Sequence, residues 1–214
     1  MFFLKFSDDI DHLSSFVNKG HVYINNFEYF AKHEDAGHKY DRHELASRYH
    51  QHIGASLTLD GKKFKIAEPF SIRLGDVIFS HIFCLCAVTE ETLKKTSDKR
   101  VFDERLWRDF GEYIVLIHNP REFLSRLVKK INELKYYCEH DFVQYFCPIT
   151  YEGEVGAFRK RNIYDYQCEY RIAINSPVDG PLDNIYLGDL SDIAHGPVHK
   201  SQSINRIEND NAKL

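Results

Sequence analysis

No apolar run in this chain approaches the roughly 18 residues that a membrane-spanning helix needs, so the sequence predicts no membrane segment. Methionine and tryptophan occur once each, and six prolines and eleven glycines are too few for a fibrous or low-complexity protein. Five cysteines, an odd number without a small-domain framework, argue against a disulfide scaffold and predict reduced thiols in a cytoplasm. The opening Met1 to Asp9 is short in apolar length and acidic at once, unlike a secretory leader. A net charge of -4 excludes a broadly basic nucleic-acid coat but leaves room for a local basic groove. Glycine-rich dinucleotide and P-loop signatures are missing, and so is the G-x-S-x-G hydrolase elbow.

What remains is a chain of 214 residues, 43% hydrophobic and 28% charged, long enough to bury one sizeable core. Phe2 to Phe6 reads as a strand. Asp8 or Asp9 caps a helix to about Asn18, Gly20 closes it, and His21 to Asn25 is a second strand. Asp60-Gly61 between two short alternating runs marks a hairpin. Val77 to Val88, the most apolar run, predicts a central strand buried on both faces, and it places Cys84 and Cys86 on one side as core thiols. Tyr113 to Ile117 predicts a strand, and Pro120 opens a helix to about Tyr137. Val143 to Phe146, Tyr166 to Ile174 and Asn184 to Leu187 follow as strands. The expectation is one α+β domain over residues 1–200, a mixed or antiparallel sheet flanked by helices, and a polar tail from 201 to 214.

The stretch Phe158 to Ile174 carries the chemistry. With a period of two from Tyr164, one face holds Tyr166, Cys168, Tyr170, Ile172 and Ile174, and the other holds Asp165, Gln167, Glu169, Arg171 and Ala173. The plainer reading of the second face is an exposed Glu–Arg ladder on a wet sheet. The chemical reading is an acid held on a rigid strand beside an amide. Just upstream lies the only tight basic triplet, Arg159-Lys160-Arg161, either a solvated turn or a phosphate-contacting lip. Five histidines, His33, His38, His43, His50 and His52, crowd within twenty residues, but their spacing fits no zinc motif and predicts solvated loop residues rather than a metal site. In the same stretch Arg42 could hold a phosphate in a bidentate fashion.

Gln167-x-Glu169 resembles the Q/E-x-E element of ADP-ribosyltransferases. The strand–helix–Gly20–strand opening is similar to that of bacterial toxins of this kind that modify nucleic acids. A Glu-Tyr-Arg strand near the end also resembles a bacterial group associated with phage defence. The resemblance implies an ADP-ribosyltransferase-like fold, NAD as substrate, and Glu169 as the acid that steadies an oxocarbenium-like state as nicotinamide leaves. It implies Gln167 positioning the acceptor, and Lys5, Tyr23, Ser80 and Arg42 contacting NAD. Lys5 stands where the family has Arg or His. Arg159, Lys160, Arg161 and Arg171 would meet a nucleic-acid acceptor, and an antitoxin or defence-system protein would be a partner. The alternative is a non-catalytic binding module, a degenerate relative that recognises a protein or nucleic acid.

Overall fold

A computed structural model describes residues 1–26, 43, 46–72, 79–95 and 100–202. Four helices lie among them: α1 (Ile10–Lys19), α2 (Glu90–Lys95), α3 (Arg105–Phe110) and α4 (Pro120–Glu133). The strands are β1 (Phe2–Ser7), β2 (His21–Asn26), β3 (Arg48–His50), β4 (Ser56–Leu59), β5 (Lys62–Lys65), β6 (Phe70–Ile72), β7 (His81–Val88), β8 (Tyr113–Ile117), β9 (Tyr137–Phe142), β10 (Gln144–Phe146), β11 (Gly153–Glu154), β12 (Arg159–Arg161), β13 (Glu169–Asn175), β14 (Leu182–Tyr186) and β15 (Ala194–His199).

Local chemistry sets the helix ends. The Asp9 carboxylate accepts from the amides of Asp11 and His12, and Gly20 closes α1 in the left-handed region. Pro120 occupies the first turn of α4, where its missing N–H costs nothing, and Asn119 caps the Glu122 amide. The Asp60-Gly61 hairpin forms as expected between β4 and β5, with both turn residues at positive φ.

Eight strands make the main sheet, in the order β14-β2-β7-β1-β8-β15, with β13 on the other edge of β7 and β9 outside β13. β7 is the hub. One of its edges carries β13 from His81 to Cys86. The opposite edge is shared: β1 pairs with Cys86–Val88 and β2 with His81–Ile82. β1 and β2 diverge between those contacts, so the sheet forks there.

Both sides of the sheet are covered. α1 and α4 pack Phe16, Phe123 and Leu127 against Phe3, Phe83, Val115 and Ile172. On the other side, α3 brings Leu106 and Trp107 onto Leu4, Phe6, Cys86 and Ile114. The strand predicted from Tyr166 starts only at Glu169, because residues Asn162–Gln167 form a 3-10 turn and Cys168 reverses the chain at φ 45. The odd-numbered face of that strand is buried rather than wet: Glu169 and Arg171 are 7% and 1% exposed. The helix from Pro120 stops at Glu133, and the polar segment after it is β9. β15 had no counterpart among the expected strands.

Candidate functional site

Three consecutive pieces of chain build one buried polar cluster. β12 pairs with β10 in parallel, Lys160 opposite Tyr145, and the middle residue of that short strand turns inward while its neighbours turn out. The 3-10 turn then delivers Gln167, and β13 opens with Glu169 and Arg171 on one side. Lys160 Nζ donates to Gln167 Oε1 at 2.8 Å and to Glu169 Oε1 at 3.0 Å. Arg171 donates to Glu169 Oε2 through Nε at 2.8 Å and Nη2 at 2.7 Å. Its Nη1 reaches the Ala157 carbonyl at 2.8 Å. The Glu169 amide donates to the Tyr145 hydroxyl at 2.9 Å.

Burial alone would raise the Glu169 pKa, but Arg171 and Lys160 outweigh it and hold the carboxyl down at about 2. A carboxylate offers about four lone-pair positions. These contacts use one on Oε1 and two on Oε2, which leaves one open on Oε1.

The network extends sideways. Gln167 Nε2 lies 3.4 Å from the Tyr166 hydroxyl, which donates to Asp109 Oδ2 at 2.5 Å, and Arg108 holds Oδ1 at 2.7 Å. Burial, then the bond to Asp109, pushes the Tyr166 hydroxyl up to about 12. Tyr166→Phe removes the donor and takes one hydrogen bond from a buried carboxylate. It is expected to cost about 1–3 kcal/mol in urea unfolding with an unchanged m-value.

Glu169 lies at the floor of a groove of about 990 Å³, with Tyr145 and Tyr166 beside it. One wall runs from Val88 to Thr92, another from Arg100 to Arg105, where the Arg105 guanidinium stacks 3.8 Å over the Tyr166 ring. Sequence reasoning missed Asp109 and this second wall. The inward turn of Lys160 had a signal, since the middle residue of any three-residue strand faces away from its neighbours.

Of the expected site residues, Gln167, Glu169, Lys160 and Arg171 come together. They do so as one buried ion-paired cluster and not as an exposed row. Arg159 and Arg161 diverge from Lys160: Arg159 bonds the Glu154 carbonyl at 3.1 Å, and Arg161 leans toward the Tyr164 hydroxyl at 3.5 Å. The triplet therefore forms no continuous basic lip.

Lys5 borders a small cavity of about 50 Å³ with Gln167 and Glu169 where β1 and β7 separate. Its ammonium lies on the other face of the sheet. Lys5 pairs with Val115 of the side covered by α1 and α4, whereas Leu4 and Glu169 both face Cys86, and Lys5 Nζ sits 4.7 Å from the Phe83 ring centre. Burial lowers the Lys5 pKa. Tyr23 stands edge-on to His12 at 6.2 Å. Ser80 lies six residues from Cys86 along the β7 direction, about 20 Å at strand rise, and bonds Ser176 in both senses at 2.8 and 2.9 Å. Lys5, Tyr23 and Ser80 thus do not join Glu169 in the groove. Arg42, His33 and His38 lie outside the described residues.

His43 is buried with Nδ1 3.1 Å from Ser71 Oγ, and His50 stacks on Phe70. Among the described residues no three His, Cys, Asp or Glu side chains gather as metal ligands would. No helix of the described residues is long and apolar enough to cross a membrane.

No protein-family model matches the chain, and neither curated proteins nor solved structures give a match.

Proposed function

We propose that this protein is a non-catalytic binding module whose groove over Glu169 receives a cationic segment of a protein partner. The charge of the groove carries this reading. The carboxylates of Glu90, Glu91, Asp103, Glu104 and Asp165 border it, against the guanidiniums of Arg100 and Arg105 and the terminal amine of Met1, while Glu169 is already balanced by Lys160 and Arg171. Both guanidiniums are engaged by acids of the same wall: Arg105 with Asp103 at 2.8 Å and Arg100 with Glu104 at 3.0 Å. A polyphosphate entering such a groove meets repulsion, whereas a lysine or arginine meets its complement and lays its stem on Phe102 and Tyr145.

The test is fluorescence anisotropy with a labelled hexa-arginine peptide, at low and at physiological salt. Saturable binding, weakened roughly tenfold by the pair Glu90→Lys and Asp165→Lys, is the expected result. Tighter binding of a single-stranded RNA of equal length counts against it.

A second reading, NAD-dependent ADP-ribosyl transfer onto nucleic acid, has one specific observation in its favour. Gln167 and Glu169 share Lys160 at the groove floor, and the open position on Glu169 Oε1 suits a ribose hydroxyl as donor. Against it, an ammonium and a guanidinium flank the carboxylate where positive charge would have to develop. On this reading a toxin or defence role, with an antitoxin as partner, belongs to the same proposal. Nicotinamide release from NAD by the wild type, lost in Glu169→Gln, would replace the first reading with the second. Growth arrest on expression of the wild type but not of Glu169→Gln would extend it to a toxin.

A further inference from the structure

The outermost strand, β9, pairs with β13 and, among the described residues, with no other strand. Four of its six residues in sequence, Glu139 to Phe142, are exposed, as is Tyr137. A strand edge of this length, its outer amides and carbonyls left unpaired by β13 and only the Phe142 amide taken by a side chain, is a template for another extended chain. Its side chains sort by charge. Tyr137, Glu139 and Asp141 stand on one side of the sheet, by their register with Asn175, Ala173 and Arg171. The Asp141 carboxylate is fixed at the edge by accepting from the Phe142 amide at 2.7 Å. On the other side, His140 and α4 line an open groove of about 800 Å³. Its floor is the apolar stems of Leu124 and Val128, with Arg121, Lys129 and Glu133 around them.

We propose that β9 is a docking edge for an extended segment of another protein, added as a further strand, with Lys or Arg at alternate positions and apolar residues between them. Charge complementarity selects this occupant. The residues facing Glu139 and Asp141 meet two carboxylates. Those facing α4 meet the apolar floor of Leu124 and Val128, which suits the apolar residues of the segment. A second copy of this chain fits badly. Antiparallel self-pairing about a two-fold axis sets residues of the same face opposite each other, and the two registers that pair most of β9, centred on Glu139 or on His140, bring Glu139 against Glu139 or against Asp141. Like charges directly opposite are a device that keeps edges apart. This site meets the groove over Glu169 only at Phe142 and stands without that reading.

The experiment uses a blocked heptapeptide of alternating lysine and valine and follows hydrogen–deuterium exchange across the whole chain. Saturable binding with new protection at 137–142 and none at 88–105 supports the proposal. The glutamate–valine counterpart should bind at least roughly tenfold more weakly. Glu139→Lys with Asp141→Lys should reverse that preference, and the milder Glu139→Gln with Asp141→Asn should erase it, with circular dichroism reporting the fold of each. Methylating the peptide's alternate amides should abolish binding, because strand addition needs its N–H groups. Equal binding of the methylated peptide, protection confined to 88–105, or protection of 137–142 by the protein's own dimerisation without peptide would each overturn it.

Discussion

Glu169→Ala is expected to melt roughly 10 °C below the wild type, the largest single loss among the polar positions, for a cost of about 3–5 kcal/mol. The side chain is the shared counter-charge of Lys160 and Arg171, each 1% exposed. Removing it brings two buried cations together without the anion between them. That is the costly way to break a buried ion pair, whereas the intact cluster contributes much less than its Coulomb attraction suggests, because desolvation opposes it. Glu169→Gln keeps an acceptor and the shape, so it should lose less than the alanine variant. The difference between the two isolates the contribution of packing and hydrogen bonding.

The same carboxyl sets an acid limit. Its pKa falls from 4.5 to about 2 on folding, under the net pull of Arg171 and Lys160 against burial. A depressed carboxyl contributes stability that is complete above the unfolded value. It is lost as pH drops from about 4.5 toward about 2. Urea midpoints measured down this range should fall for the wild type, and the share of the fall owed to Glu169 should be missing in Glu169→Gln. If both proteins lose stability in parallel, Glu169 is not the anion of the cluster.

Gly111→Ala should be comparably damaging for a reason that involves no charge. Gly111 sits at φ +116, and a Cβ there would lie 2.2 Å from both the Ser7 carbonyl carbon and the Asp8 amide nitrogen. These atoms belong to backbone where β1 ends and the cap of α1 begins, so no rotamer can relieve the contact. Either the strand end or α3 must move, and the loss should be about 3 kcal/mol or more. Gly156→Ala is the control, with φ +61 and nothing within 4 Å of the added carbon. It should cost only about 1 kcal/mol, the intrinsic penalty of the left-handed region. Chemical denaturation of both variants separates steric from conformational cost.

Features that depend on neighbours in sequence were legible in advance. The Asp9 cap, Gly20 and the Asp60-Gly61 hairpin follow from residues within a few positions of one another. The apolar alternation of Tyr170, Ile172 and Ile174 was also readable, and those side chains do face the helices. The opposite face was misread because period-two alternation tells which residues share a side, not what covers it. Glu169 and Arg171 look wet in sequence and are roofed by Ala157, Lys160 and Tyr145, which no local pattern announces. β9 escaped because Cys-Glu-His-Asp carries no apolar alternation, as suits an edge with little to bury. β15 escaped because Gly196 and Pro197 interrupt it, and the bulge between His195 and Val198 absorbs them. The groove brings together chain segments near residues 90, 102, 145 and 169, a convergence that only the tertiary fold supplies.

The fork at β7 has a mechanical consequence. The strands beyond β1 and those beyond β2 form two leaves joined through opposite ends of one edge of β7 and through the covering helix α1. A pull that spreads the leaves loads their seams to β7 in peel, where hydrogen bonds break in succession. A pull along β7 loads its long seam with β13 in shear, where the bonds of six paired residues from His81 to Cys86 resist together. The fold is therefore anisotropic, compliant across the fork and stiff along the strand that carries Glu169.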